Sequence, residues 1–203
     1  MKRPADAGLF VVLEGVDGAG KSTQIRGLAD RLAAAGVSHV ISREPTDGPH
    51  GRRLRESGTR GRLPPDEELA TFLADRRQHV TELILPALAA GKVVVLDRYY
   101  FSTAAYQGAR GFDWADILRR NEEFAPEPDI VFWLELPAEV SQERIGVRGE
   151  AANDFERIES IRAVAGIYAQ LAGRYDCFHR LDARRPPAEL LDEMWRVISA
   201  RLA

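Results

Sequence analysis

Cysteine is nearly missing from this chain: Cys177 stands alone among 203 residues. An intrachain disulfide is therefore excluded, and a reducing compartment, the cytoplasm, is expected. No run approaches the ~18 apolar residues of a membrane span, and the opening MKRPADAG (1–8) lacks the apolar stretch of a signal peptide. Charge excess is small, −3 in all, so neither nucleic acid nor a membrane is expected as a partner. Internal repeats, low-complexity tracts and interdomain linkers are also missing, which points to one domain over residues 1–203.

Against these absences, 45% of the residues are hydrophobic, enough for a sizeable core. Near-continuous apolar runs predict strands at 9–14, 37–42, 92–96 and 129–136, with a weaker one at 178–181. Helical spacing predicts helices at 21–35, 101–107, 113–124, 137–148, 155–173 and 186–202. A short helix is predicted at 51–57, and a long one from Pro65 to about Ala90 with a kink at Pro86. Strands alternating with helices, and apolar on both faces, are the pattern of a parallel α/β sheet covered on both sides. The polar stretch RGEAAND (148–154) is the best candidate for an insert.

The first strand runs into Gly15-Val16-Asp17-Gly18-Ala19-Gly20-Lys21-Ser22, which fits G-x-x-x-x-G-K-[ST] between a strand and a helix. Backbone amides of such a loop converge on phosphate oxygens at the positive end of the helix, and Ala19 and Thr23 belong to the same cradle. Lys21 is expected to reach the β- and γ-phosphates, and the Ser22 hydroxyl to ligate Mg²⁺. The loop alone does not separate a GTPase, a motor-type ATPase and a kinase. The chain has no Asn-Lys pair, hence no Asn-Lys-x-Asp guanine-reading motif, so ATP is the expected donor.

A second chemical segment, VVVLDRYYFSTAAYQG (93–108), closes a buried strand with Asp97-Arg98. Ligands of open α/β sheets sit at such carboxyl ends. There Asp97 can orient Mg²⁺ through water and Arg98 can bridge two phosphoryl groups; a plain surface ion pair is the alternative. Arg43, Arg52, Arg53, Arg55, Arg60 and Arg62 crowd one stretch of the chain, as an anion-binding wall or as a solvated face.

Taken together and in this order, EGVDGAGKST, SREP, FLADRRQHV and DRYYFSTAAYQG resemble the thymidylate kinases, nucleoside monophosphate kinases that convert dTMP and ATP to dTDP and ADP. The resemblance spans about residues 9–175. It implies a three-layer phosphate-loop kinase fold, a five-stranded parallel sheet with helices on both faces, a small lid at about 144–159, ATP and Mg²⁺ as co-substrate and cofactor, and a homodimer. It implies that Phe72 stacks on thymine while Arg76, one turn later, bonds a base carbonyl. Without the resemblance that pair reads as a core phenylalanine beside a snorkelling arginine. It further implies that Tyr106 crowds the sugar 2′ carbon, that Ser102 and Gln107 lie near the base, and that Asp17 faces the sugar 3′-hydroxyl. Arg43, Arg55 and Arg98 would face the acceptor phosphate, with Glu44 bracing the pocket; Arg52, Arg53, Arg60 and Arg62 are expected to be solvated.

Two departures stand out. Members of the family carry either an arginine in the phosphate loop or one in the lid, and Gly18 implies the second design. The usual Asp-Arg-Phe-Glu of that lid is here Asn153-Asp154-Phe155-Glu156, so the arginine before the phenylalanine is absent. Arg148 is the first choice for the transferred role and Arg157 the second, with Arg144 expected to stack on adenine. The loop after Pro45 reads Thr-Asp-Gly-Pro instead of Gly-Gly-Thr. This opens the alternative of another acceptor: dUMP, a modified deoxynucleotide or a nucleoside. A nucleotide-driven switch without an acceptor is the reading outside the kinase class.

Overall fold

The computed structural model is described here at residues 8–146 and 151–202, with the backbone alone at 60 and 151–156. Strand β1 (Phe10–Glu14) leads through the phosphate loop into helix α1 (Lys21–Ala34), then β2 (His39–Arg43). Helices α2 (Pro49–Arg60) and α3 (Pro65–His79) follow. A π-helical turn (Val80–Ile84) joins α3 to α4 (Leu85–Ala89), and β3 (Val93–Asp97) comes next. The second half is α5 (Tyr100–Gly108), α6 (Trp114–Glu122), β4 (Ile130–Glu135), α7 (Ala138–Ile145), α8 (Ala151–Arg174), β5 (Phe178–Asp182) and α9 (Pro187–Leu202).

The five strands form one parallel sheet in the order β2-β3-β1-β4-β5. All five residues of β1 are buried, so both faces of the sheet are covered there, which is why β1, β3 and β4 read as unbroken apolar runs. The edge strands β2 and β5 are half-buried and carry His39, Arg43, His179 and Arg180, which explains their weaker signal. Register sets the site: Leu13 and Arg43 both pair with Asp97, so the carboxyl ends of β1, β2 and β3 finish level. One residue of slip would turn Asp97 to the other face.

Several boundaries differ from the sequence expectation. The long helix does run from Pro65 to Ala89, but the irregularity lies before Pro86. Proline removes an amide donor and crowds the carbonyl four residues back. The π-turn relieves this by widening the preceding turn, with the Leu85 amide bonding the Val80 carbonyl five residues back. Helix α2 is twelve residues rather than seven because Pro49 is pre-set for a first helical position. Helix α6 starts one residue after Asp113, whose carboxylate caps the Ala115 and Asp116 amides. Helix α7 stops at Ile145 because Gly146 takes a left-handed conformation (φ 69°). Helix α8 begins at Ala151, inside the stretch expected as an insert.

Candidate active site

The Lys21 side chain turns back onto its own phosphate loop. The Lys21 ammonium donates to the carbonyl oxygens of Gly15 and Val16, each at 3.0 Å. Burial, the largest influence, and the nearby Arg98 lower its pKa to about 8, against the pull of Asp97, Asp17 and Glu14. Gly18 has φ 76°, a conformation that side chains resist, and a Cβ there would lie 3.1 Å from the Ser141 carbonyl and 3.3 Å from the Arg144 Cβ. A side chain at this position is therefore strained by its backbone and tight in its space. Ala19 is buried, its amide 3.3 Å from the Val16 carbonyl, so it shapes the loop from behind.

A cavity of about 270 Å³ opens in front of the loop, lined by Gly18, Gly20, Lys21, Ser22, Thr23 and, across from them, Arg43 and Asp97. Ser22 Oγ donates to Asp97 Oδ2 at 3.3 Å. Among the described residues, the buried Asp97 Oδ1 has no hydrogen-bond partner. A hydroxyl beside a carboxylate with one unused, buried oxygen fits a hard cation such as Mg²⁺, which is commonly held by one or two protein oxygens and the phosphates themselves. Among the described residues no cluster of three or more His, Cys, Asp or Glu forms a fuller protein cage.

A second cavity, about 230 Å³, lies beside the first, with Phe72, Arg76, Thr103, Tyr106 and Gln107 on its walls. Asp17, Glu44 and Arg98 line both cavities. Arg98 follows β3 with φ 68°, an unusual backbone for a side-chain-bearing residue. Its guanidinium donates to Asp17 Oδ1 (2.5 Å), Ser102 Oγ (3.1 Å) and the Tyr106 hydroxyl (3.3 Å), and stands 5.0 Å over the Tyr106 ring. Burial opposes its charge, but Tyr106, Tyr168, Asp17 and Glu14 outweigh this and raise its pKa above the ordinary value.

Arg76 is 2% exposed and held on three sides. It donates to Glu44 (2.8 Å from Nε), Asn121 Oδ1 (2.7 Å) and Thr103 Oγ1 (3.1 Å). A guanidinium has five N–H donors, so Nη1 keeps one for a ligand. Glu44, expected as a brace, is the centre of this network: it also meets His79 Nδ1 at 3.0 Å, and His79 Nε2 meets Ser42 Oγ at 2.9 Å. The arginine-rich stretch divides. Arg43 and Arg55 both donate to Asp47 Oδ1, at 2.8 Å each. Arg52 and Arg53 are exposed, as expected. Arg62 is exposed as well, as expected, while it also lines the second cavity and pairs with the buried Glu68 at 3.3 Å. The loop between is pinned by Asp75, which accepts from the Thr46 amide (2.8 Å) and hydroxyl (2.6 Å).

On the lid side, Arg144 Nη1 donates to the carbonyls of Gly18 (3.3 Å) and Ala183 (3.1 Å), so it bridges the phosphate loop and the turn after β5. Arg157 is exposed on α8. Arg148 lies outside the described residues.

Sequence reasoning missed the residue that holds the site together, Glu14. It is wholly buried, and accepts from the Tyr99 amide (2.9 Å), the Ser102 amide (3.2 Å), the Ser102 hydroxyl and the Tyr168 hydroxyl (2.8 Å). Burial raises its pKa, opposed by Ser102, Arg98, Tyr168 and Tyr99. His79, Asp75 and Asn121 were missed too. The one available signal was FLADRRQHV, where a helix face carries Asp75, Arg76 and His79 toward β2.

A parallel sheet whose central strand feeds a phosphate loop, with a base-sized cavity abutting that loop across a shared arginine, defines a phosphate-loop nucleotide kinase. Comparison with known proteins gives the family. The model for "Thymidylate kinase" matches residues 13–194. The chain is 51% identical over 170 residues to the thymidylate kinase of Desulfotalea psychrophila, covering 83% of this chain and 84% of that protein. It is 44% identical over 198 residues to those of Xanthomonas campestris pv. campestris and Xanthomonas euvesicatoria pv. vesicatoria, covering 97% of this chain and 85% of each. The chain belongs to the thymidylate kinase family.

Proposed function

We propose that the chain transfers the terminal phosphoryl group of ATP to the phosphate of dTMP, giving ADP and dTDP. One observation carries this reading: Asp17, Glu44 and Arg98 line both cavities, so a polyphosphate on the loop and a monophosphate beside it would meet across Arg98. An anionic oxygen of the acceptor phosphate attacks the γ-phosphorus while the bond to the β-bridging oxygen breaks. The nucleophile is already ionised, so positioning and charge neutralisation do the work.

In this division of labour Lys21 exchanges its carbonyl partners for the β- and γ-phosphate oxygens, within the cradle of Gly15, Gly18, Ala19, Gly20, Ser22 and Thr23. Ser22 and Asp97 would hold Mg²⁺, which when bound neutralises phosphate charge. Arg98 spans donor and acceptor phosphates. Arg43 and Arg55 release Asp47 to take the acceptor phosphate. Phe72 stacks on thymine, Arg76 offers its remaining Nη1 hydrogen to a base carbonyl, and Gln107 reads the base edge. Ser102 positions the Arg98 guanidinium. Tyr106 crowds the 2′ carbon and Asp17 accepts from the 3′-hydroxyl. Arg144 lies against the nucleoside of ATP, and Arg148, in a lid at about 144–159, joins the transferred group. The unit is a single domain working as a homodimer, and its lone cysteine suits the cytoplasm.

The test is ADP release, coupled to an indicator reaction, with dTMP, dUMP, CMP, UMP, AMP and GMP as acceptors. Turnover of a ribonucleotide equal to or better than that of dTMP refutes the reading.

A further inference from the structure

Beyond the residues that would touch the base, the second cavity has an outer layer of charge. Glu68 is 5% exposed and pairs with Arg110 on one side and Arg62 on the other. Arg110 Nη1 also donates to Gln107 Oε1 at 3.0 Å, and Gln107 is 2% exposed. A carboxamide has two ends of opposite character and can be turned either way, so its chemical reading of a ligand depends on what fixes it. A guanidinium carries donors only. The end of Gln107 that faces Arg110 must therefore be the oxygen, and Nε2 is left to point elsewhere. Among the described residues Nε2 makes no hydrogen bond, and Gln107 is on the cavity wall.

We infer that Arg110, held in place by the buried Glu68, is a positioning residue for base selection: it locks the Gln107 amide with Nε2 as a donor toward the base, and so selects a 4-oxo over a 4-amino pyrimidine. This rests on the reading of the cavity as the dTMP site. A 4-oxo group accepts from Nε2, whereas a 4-amino group would set donor against donor and leave both unpaired in a dry pocket. The second lone pair of Oε1 stays available to the base N3 hydrogen, which only the 4-oxo pyrimidines carry. Arg76 carries donors only, so it can favour a carbonyl but places no acceptor opposite the N3 hydrogen, which Gln107 does. Freed of Arg110, the amide can rotate by a half turn and accommodate the 4-amino edge.

The experiment compares kcat/KM for dTMP and for 5-methyl-dCMP, which differ at the base edge and keep the methyl group and the sugar phosphate the same. With Arg110→Met, the dTMP to 5-methyl-dCMP ratio is expected to fall by about tenfold or more, the scale on which a mispaired polar group discriminates substrates. Arg110→Lys keeps a donor-only group and is expected to restore much of the ratio. Glu68→Gln is expected to lower it in the same direction. Should Arg110→Met fold poorly, Arg110→Gln, which can present either end to Gln107, makes the same comparison. An unchanged ratio in folded Arg110→Met protein, with dTMP turnover intact, overturns the role of Arg110 alone. Failure of the unaltered chain to phosphorylate dTMP overturns the reading of the cavity, and this inference with it.

Discussion

Lys21 offers a prediction that needs no mutation to begin with. In the free protein its ammonium is buried among carbonyls and lies close to Arg98, which lowers its pKa from 10.5 to about 8, a penalty of roughly 3 kcal/mol against the charged form. A bound polyphosphate removes that penalty by placing several negative charges against the nitrogen. At pH 8 about half of the free protein has lost this proton, and the complex regains it, so ATP binding should take up about 0.5 proton per site. Uptake should fall close to zero by about pH 6.5, where Lys21 is already charged in the free protein. The assay is titration calorimetry with ATP and Mg²⁺ in two buffers of different ionisation enthalpy, at each pH. Lys21→Arg is the control, because a guanidinium does not titrate here and should show flat behaviour. Absence of uptake at pH 8, or equal uptake in Lys21→Arg, refutes the reasoning. The same shift has a stability consequence of fixed sign. Between about pH 8 and 10.5 the unfolded chain binds more protons at this residue than the folded one does, so the Lys21 contribution to stability rises with pH across that window.

Glu14→Ala removes the buried acceptor that the Tyr99 and Ser102 amides and the Ser102 and Tyr168 hydroxyls share, and should cost about 3–5 kcal/mol in urea unfolding; a loss under about 1 kcal/mol would show that the carboxylate is not what holds the start of α5. Gly51→Ala would set a Cβ 2.0 Å from the Thr46 carbonyl. The loop that bears Asp47 must shift, and a rise in acceptor KM with a stability loss of about 1–3 kcal/mol is expected by kinetics and thermal melting; normal values of both would contradict the close packing. Arg148→Ala should lower kcat by about 10³-fold with little change in ATP affinity, measured by steady-state kinetics and nucleotide binding. An unchanged kcat moves the role to Arg157.

What was legible in the sequence, and what was not, divides by distance along the chain. The phosphate loop could be read because its function is local: backbone, Lys21 and Ser22 act within eight residues. The buried strands could be read because cover on both faces leaves no polar alternation. Glu14 could not be read, since a glutamate at the end of an apolar run looks like the first solvated residue. Its partners lie 88 and 154 residues away, and only the fold brings them in. The pairing of the exposed Arg62 with Glu68 could not be read for the same reason, because that carboxylate belongs to the next helix. The Thr-Asp-Gly-Pro departure gained a physical meaning only in three dimensions, where Thr46 is tied to Asp75 and Asp47 answers two arginines at once.

The central place of β1 also bears on how the chain is made. This strand precedes its hydrogen-bonded neighbours in the chain, which begin at Val94 on one side and Ile130 on the other. Until β3 has emerged from the ribosome, FVVLE has two open edges and no partner, and the phosphate loop that follows it has no fixed base. Such long-range pairing is slow and exposes unpaired strand edges while it waits. A product stalled before β3 should therefore aggregate through the unpaired β1, and the nucleotide site, whose phosphate loop directly follows β1 but whose other walls come from later elements, should be among the last features to become competent.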